Sequence, residues 1–305
     1  MNTQPMQTEV LIAGAGPVGL GLAAELKRLG VNAMIVDRQA AAANTSRACV
    51  IHARTLEVLE PLGVTPDLIA QGVKVPTFRA RDRDQALLTI SFANNPSVYR
   101  YALMCPQDRT ERILLNRLER LGGSVAREYE LTGFAESVRH VDVDLATPHG
   151  PKTVRTRWLI GCDGMHSRVR EQSGIAFQGA AYAESFVLAD VRMDWPLGPE
   201  EVTLFFSREG FVVVAALPEQ RYRIVATVDA APERPNADFL QHILDRRGPA
   251  RQRACIHELV WSSRFHIHHR VAEIPRKGRI LLCGDAAHVH SPAGGHGMNI
   301  GLRLI

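Results

Sequence analysis

Gly284-Asp285-Ala286-Ala287-His288, followed by Pro292 and Gly294-Gly295-His296-Gly297-Met298-Asn299, sets an acid, a proline and a run of bare backbone side by side. Such a set can hold a flat, partly anionic ligand; it offers no side-chain nucleophile. A strand predicted over residues 279–283 delivers Asp285, exposed, at its carboxyl end. Met298-Asn299 read as the opening of a helix, whose first amides favour negative charge. A reduced isoalloxazine ring, charged at its pyrimidine edge, suits that geometry. The ordinary alternative is a Gly-rich strand-to-helix turn.

A second glycine-rich motif lies near the amino terminus. Residues 8–13 form a short apolar run ending in Gly14-Ala15-Gly16-Pro17-Val18-Gly19. A periodic helix over 20–29 and a strand over 33–36 follow, and that strand ends in Asp37-Arg38. This is the strand, G-x-G-x-x-G, helix, strand, acid order of a dinucleotide fingerprint. Gly14 allows the tight turn, Gly16 lets a pyrophosphate approach, and Gly19 lets helix and strand pack closely. Asp37 is placed to accept from a ribose hydroxyl. The pattern does not separate FAD from NAD.

Between the two lie further candidates. Arg47, on a loop after the second strand, can reach a pyrophosphate with charge-assisted hydrogen bonds, or be a solvated surface arginine. Gln107 precedes a helix and is open to a ligand role or to a plain helix start. Residues 159–170 (LIGCDGMHSRVR) read as a buried strand ending in Asp163-Gly164, then Ser167, Arg168 and Arg170 opening a helix; the plain reading is an Asp-Gly turn with Ser167 as N-cap. Phe205, Phe211 and Tyr222 suit an aromatic pocket or a sheet core, and Arg221 and Arg223 suit either phenolate steering or a solvated edge. His266, His268 and His269, with His288, His290 and His296, argue weakly for a metal. Strand alternation splits the first group between two faces, and no Cys or acid joins at ligand spacing, so no metal is expected.

The elements that must position these groups are interleaved. Helices are expected over 52–60, 108–121 (Ile113, Leu114, Leu118 and Leu121 on one face) and 236–246. A strand pair over 77–92 turns at Arg81-Asp82-Arg83-Asp84, short strands fill 124–158, a meander runs through 186–191, 201–206, 211–217 and 222–228, and further strand is expected over 257–268. At 305 residues, 46% hydrophobic and 22% charged, the chain can bury a large core. A net charge of +4 with scattered basic residues argues against nucleic acid. Five widely spaced cysteines without C-x-x-C point to reduced thiols and a cytoplasmic setting. No leader or membrane span is expected.

Taken in order, the three motifs resemble the class A FAD-dependent aromatic hydroxylases, and the similarity runs along essentially the whole chain. The resemblance implies an α/β fold: a discontinuous Rossmann-like FAD-binding domain (residues 1–76, 102–179 and 272–305) with an inserted, mainly antiparallel β-sheet substrate domain (77–101 and 180–271). It implies FAD held by Gly14, Gly16, Pro17, Gly19, Asp37 and Arg38 at the adenosine and pyrophosphate, with Arg47 on the pyrophosphate. Gln107 and Asp285 would serve the ribityl chain, and Leu131 the adenine. Asp163 would support FAD and transient NADPH or NADH, while Pro292, Gly295, Gly297 and Met298 lie along the ring. The implied reaction is NAD(P)H reduction of FAD, oxygen addition at flavin carbon 4a, and hydroxylation of a phenolic ring by the hydroperoxide. An aromatic substrate and molecular oxygen are then the partners, with a homodimer left open. The substrate is expected between Pro292 and a meander face carrying Phe205, Phe211 and Tyr222. Alternatives are another flavin oxidoreductase (epoxidase, halogenase or reductase) or an FAD-binding protein without coupled turnover. Relatives of this kind continue well beyond the Met-Asn helix, whereas this sequence reads Gly301 to Ile305. Barely one helical turn after Gly297, exposed apolar surface near 280–283 and the first helix, weak FAD retention and peroxide-yielding oxidation are therefore expected.

Overall fold

The computed structural model describes residues 6–42, 48–291 and 293–305. Its first sheet has the order β17 (Arg276–Lys277), β18 (Ile280–Leu282), β11 (Lys152–Gly161), β1 (Met6–Ala13), β2 (Ala33–Asp37), β8 (Val125–Arg127), strands being numbered along the chain. From β18 to β8 every pairing is parallel. The first half of β11 also pairs antiparallel with β10 (Val141–Ala146), which pairs with β9 (Glu130–Glu136). A parallel core covered on both faces needs apolar residues at successive positions, and β1 has them. Val10 and Ile12 pack with Leu20, Ala23 and Ala24 of α1 (Pro17–Arg28) and with Ile113, Leu114 and Leu118 of α4 (Gln107–Arg120); Leu11 and Ala13 pack on the opposite side with Val143, Leu159 and Val169.

The second sheet runs β19 (His288–Val289), β16 (Cys255–Ala272), β12 (Phe177–Asp194), β15 (Arg221–Val228), β14 (Gly210–Leu217), β13 (Glu201–Ser207), β5 (Thr77–Asp82), β6 (Gln85–Ser91). All its pairings are antiparallel except β13 with β5. Glu201, buried on β13, fastens that exception: it takes Arg79 Nη1 at 2.6 Å and Arg81 Nη2 at 3.2 Å. Arg83 Nη1 donates to the Asp245 carbonyl at 2.8 Å, so this alternating basic run is spent inside the fold. The chain is thus an α/β fold, a parallel Rossmann-like core with an antiparallel sheet joined to it.

A small third sheet, β3 (Val50–Ile51), β7 (Ala102–Met104) and β4 (Val73–Val75), lies at the joint. Cys49, Val75 and Met104 pack there against Ala215 and Leu217 of β14. β12 and β16 are longer than expected, and β12 starts at Phe177, before residue 180. The added part of β12, residues 177–185 (FQGAAYAES), is rich in small residues and carries no clear hydrophobic alternation to mark it. A short helix, α3 (Thr65–Gln71), was not expected; Pro66 in its first turn gives it a favourable start.

The meander requires a correction to the expected pocket. Phe205 is fully buried in a cluster with Val212, Ile224 and Ala226 under α6 (Ala237–Arg247), edge-on to Trp195 at 6.0 Å, and Tyr222 packs against the same cluster. Phe211 lies next to Val212 on β14 and so points to the other face, where its ring is 5.7 Å from Phe186. Phe205, Phe211 and Tyr222 therefore do not share a face: two are core and one faces away. Arg223 does not steer a ligand either, since it is buried with Asp190, Nε to Oδ1 2.7 Å and Nη2 to Oδ2 2.9 Å. Arg221 donates to the Pro218 carbonyl at 3.3 Å. A Phe205→Ala variant should accordingly lose about 3–5 kcal/mol of stability in urea unfolding, and Phe211→Ala clearly less; equal losses would restore the shared-face reading.

Candidate dinucleotide site

The three motifs, far apart in sequence, meet at the carboxyl ends of β1, β11 and β18. Gly14 takes φ +103°, and a Cβ there would overlap the Cys162 carbonyl and come to 2.9 Å from Asp163 Cα. Gly19 faces the Gly14 carbonyl within overlap distance of any added Cβ, with Cys162 Cβ at 3.3 Å. At Gly16, which caps α1 ahead of Pro17, an added Cβ would meet nothing within 4 Å. Two glycines thus close the protein on itself and the third opens it outward.

Asp37, at the end of β2, accepts from the Ala15 amide (2.7 Å, Oδ2) and the Gln39 amide (2.8 Å, Oδ1), with Arg127 Nη1 at 3.9 Å from Oδ2. In this structure it shapes the Gly-rich loop from behind. Arg38 beside it is exposed. Leu131 is buried on β9, two residues past Tyr129, whose amide donates to the Asp37 carbonyl at 3.0 Å; the Leu131 carbonyl accepts from Arg168 Nη1 at 3.2 Å.

At the second motif, Asp163 Oδ2 accepts from the Val169 amide at 3.2 Å, while Oδ1 is buried with no hydrogen-bond partner among the described residues. Ser167 is the N-cap of α5 (Arg168–Gln172), accepting from the Arg170 amide at 3.0 Å. Arg170, buried, donates to the Met165 carbonyl (2.9 Å) and to the Ala286 carbonyl (3.0 Å), and its guanidinium lies 3.8 Å from the Phe177 ring centre. That side chain ties the second motif to the third.

The third motif opens with a 3₁₀ turn, Gly284–Ala286, which carries Asp285 on the surface. Val18 comes to 3.1 Å of an added Cβ on Gly284, and the Gly284 Cα to 3.3 Å of one on Gly301. The final helix, α7 (His296–Arg303), spans eight residues, not a single turn, and begins from Gly295 in the left-handed region at φ +66°. It buries Met298, Asn299, Gly301 and Leu302; Ile305 Cδ1 lies 2.6 Å from an added Cβ on Gly21, so the end of the chain covers part of α1. Gly297 and Met298 sit in its first turn. Pro292 and Arg47 lie outside the described residues.

Asn299, to which the sequence reading assigned no role, is the fastener here. Its Oδ1 accepts from the His52 amide at 2.8 Å, and its Nδ2 donates to the Val50 carbonyl (2.8 Å) and the Gly295 carbonyl (2.7 Å). His52, N-cap of α2 (Ala53–Leu59), adds an Nε2 contact to the Gly294 carbonyl at 2.8 Å. An amide placed between Met298 and Ile300 was the available signal. Gln107 is committed to protein: its Oε1 accepts from the Ala48 amide at 3.2 Å and its Nε2 donates to Glu111 at 2.8 Å. That pairing ties Ala48 to the start of α4. His288 and His290 stack at 5.9 Å, and no group of three or more metal ligands gathers among the described residues.

Burial pushes the imidazoles of both His52 and His288 below their ordinary value, outweighing the Gly294 carbonyl beside the first and Asp285 beside the second. Unfolded histidine takes up a proton as pH falls through about 6.5, while these two resist it. Their share of stability is therefore complete above that pH and lost below it. The urea midpoint should fall between pH 8 and pH 5.5, and His52→Gln should reduce that fall. A midpoint that rises on acidification would contradict it.

A parallel α/β core with a Gly-rich loop, an acid after the second strand and two further acids at neighbouring strand ends defines a dinucleotide-binding protein with an antiparallel sheet attached. The chain matches the FAD binding domain family over residues 7–303 and belongs to it. It is 34% identical over 308 residues to pentachlorophenol 4-monooxygenase of Sphingobium chlorophenolicum, covering 98% of this chain and 57% of that protein. It is 37% identical over 302 residues to 6-methylpretetramide 4-monooxygenase of Streptomyces rimosus, covering 97% and 54%. The solved structure of OxyS anhydrotetracycline hydroxylase from Streptomyces rimosus superposes with a TM-score of 0.79 at 33% identity, over 98% of this chain and 60% of that one. The chain spans little more than half the length of these curated relatives. Among the described residues no helix is long and apolar enough to cross a membrane.

Proposed function

We propose that this chain binds FAD in an NAD(P)H-consuming monooxygenase that hydroxylates a phenolic or related aromatic ring. The observation that carries the reading is the open approach at Gly16 together with the Oδ1 of Asp163, buried and without a hydrogen-bond partner among the described residues, on the residue that packs beneath Gly14. A pyrophosphate fits the first and a hydroxyl or amide donor the second. Bound FAD, once reduced by NADPH or NADH, supplies the activation of molecular oxygen that no side chain here can supply. The protein binds and positions. The α1 amino terminus and the Gly14–Gly19 turn take the pyrophosphate; Asp37, Arg38 and Leu131 the adenosine end; Arg47 the phosphates; Asp285 the ribityl chain, with Gln107 reaching it in exchange for its Ala48 or Glu111 hydrogen bond. Pro292, Gly295, Gly297 and Met298 would serve the ring, and Asn299 keeps the Gly295 turn against β3.

The substrate reading moves to the opposite face of the meander. Phe211, Phe186 and Phe265 (Phe186 to Phe265 5.5 Å, stacked) share the face whose Ala215 and Leu217 pack on the third sheet. They would form one apolar wall for an aromatic ring that molecular oxygen must also reach. The proposed division is a discontinuous FAD-binding unit with residues 77–101 and 180–271 inserted, and the widely spaced cysteines support a cytoplasmic setting.

The test is a panel of phenols, each scored for NADH and NADPH oxidation, oxygen uptake and product by the purified, FAD-loaded chain. Phenol-stimulated oxidation, divided between hydroxylated product and hydrogen peroxide, is expected for at least one phenol. Oxidation without aromatic product on every phenol would overturn the hydroxylase reading. Asp37→Ala should weaken FAD binding about 10- to 100-fold, the worth of a hydrogen bond to a charged group; FAD titration with unchanged affinity would remove Asp37 from the site.

A further inference from the structure

Five cysteines stand in the chain, and two of them oppose each other across neighbouring parallel strands. β11 and β18 pair Gly161 with Leu282, so the next residues, Cys162 and Cys283, come opposite at the carboxyl ends. The Cys283 amide donates to the Gly161 carbonyl at 2.9 Å, which carries the pairing to the cysteines themselves. Both side chains lean to the α1 side of the sheet, where they pack against the same cluster as Ile160 and Leu281. Both are half-buried, unlike the fully buried Cys49 and Cys105 or the exposed Cys255. Neighbouring parallel strands lie about 4.8 Å apart, inside the ~4.4–6.8 Å of Cα separation that a disulfide spans.

We propose that Cys162 and Cys283 form a peroxide-oxidisable dithiol pair that closes to a disulfide and thereby loosens the dinucleotide loop above it.

The two thiols are hydrogen-bond partners: this interaction lowers Cys283 and, with burial, raises Cys162 well above the ordinary thiol value. Cys283 is thus the attacking thiolate. Its sulfur takes one oxygen of hydrogen peroxide as the O–O bond breaks, and the other oxygen leaves as hydroxide and is protonated to water. The Cys283 sulfenic acid is then attacked by the Cys162 sulfur, which gives up its proton as the sulfenic oxygen departs as a second water. Two thiols lose two electrons, and one peroxide becomes two waters.

The consequence lies in what Cys162 supports. Its carbonyl sits directly beneath Gly14, its amide donates to the Ala13 carbonyl at 2.7 Å, and its Cβ is 3.3 Å from where a Gly19 Cβ would stand. A disulfide draws opposed Cβ atoms to about 3.8 Å, and a turn packed this closely has no slack to absorb the shift. Cys49 and Cys105 are a built-in comparison: the Cys105 amide donates to the Cys49 carbonyl at 2.7 Å, yet their side chains enter different clusters.

The coupling to cofactor rests on the FAD reading; the cross-link does not. The reduced 305-residue chain is treated with hydrogen peroxide, quenched by alkylation under denaturing conditions and mapped as unreduced peptides by mass spectrometry. A peptide pair joining Cys162 to Cys283 is expected, with both thiols lost together and restored by dithiothreitol. Cys283→Ser should leave Cys162 alkylatable. Oxidation of Cys283 to sulfinic acid with Cys162 still free, or a Cys49–Cys105 link in place of the expected one, would overturn the pair. FAD titration of the oxidised chain should show affinity lowered about tenfold and recovered on reduction. A cross-link with unchanged FAD affinity would overturn the coupling, and no FAD binding in the reduced chain would instead reject the FAD reading.

Discussion

Gly19→Ala is expected to abolish FAD retention and to destabilise the fold, whereas Gly16→Val abolishes retention alone. The first places a methyl group onto the Gly14 carbonyl, backbone that cannot rotate away, with Cys162 Cβ on its other side. Relief requires α1 to lift from β1, and Leu20, Ala23 and Ala24 leave the core with it. At Gly16 a Cβ meets no protein atom within 4 Å, so valine leaves the melting temperature near its parent value. It does occupy the open side by which a pyrophosphate would approach that turn. Both variants should lose more than about a hundredfold in FAD affinity, roughly 2.7 kcal/mol or more. Thermal melts beside FAD titrations separate them. A Gly16→Val chain that binds FAD as the parent does would mean that the phosphates lie elsewhere.

Asn299→Leu should cost about 2–5 kcal/mol in urea unfolding. The side chain is nearly isosteric and fully buried, so packing is kept while three hydrogen bonds go. The His52 amide and the Val50 carbonyl are then left unmatched inside the protein, and each such group costs about 1–3 kcal/mol. α7 should detach from β3, and FAD binding should weaken with it, because Gly297 and Met298 ride on the same turn. An Asn299→Leu chain as stable as the parent would show that α7 is held by apolar packing alone.

How much of this was legible depends on which signals are local. The Gly14–Gly19 turn, α1, β2 and Asp37 form one unbroken segment in which each residue constrains the next, and the motif named its own geometry. α4 was equally plain, because Ile113, Leu114 and Leu118 repeat at helical spacing. The meander strands were found, but not which side of them mattered. Phe205 and Phe211 both read as half-buried aromatics, and only α6 docking on one face makes the first core and leaves the second free. Arg223 looked like a surface base because its acid, Asp190, lies on another strand. Asn299 and Arg170 act on backbone carbonyls far away in sequence, and a carbonyl carries no signature of its partner. The expected single turn after Gly297 failed for a similar reason: Val18, Gly21 and Gly284 supply the tertiary support that a short helix lacks by itself.

The central claim is that three sequence-distant motifs assemble one FAD site around Gly16 and Asp163. Equilibrium titration of the purified, flavin-stripped chain with FAD, followed by flavin absorbance and fluorescence, tests it most directly when run beside Gly16→Val. One FAD per chain, bound saturably by the parent and lost in the variant at unchanged melting temperature, is the predicted result. No saturable binding by the parent, or equal binding by both chains, would contradict it.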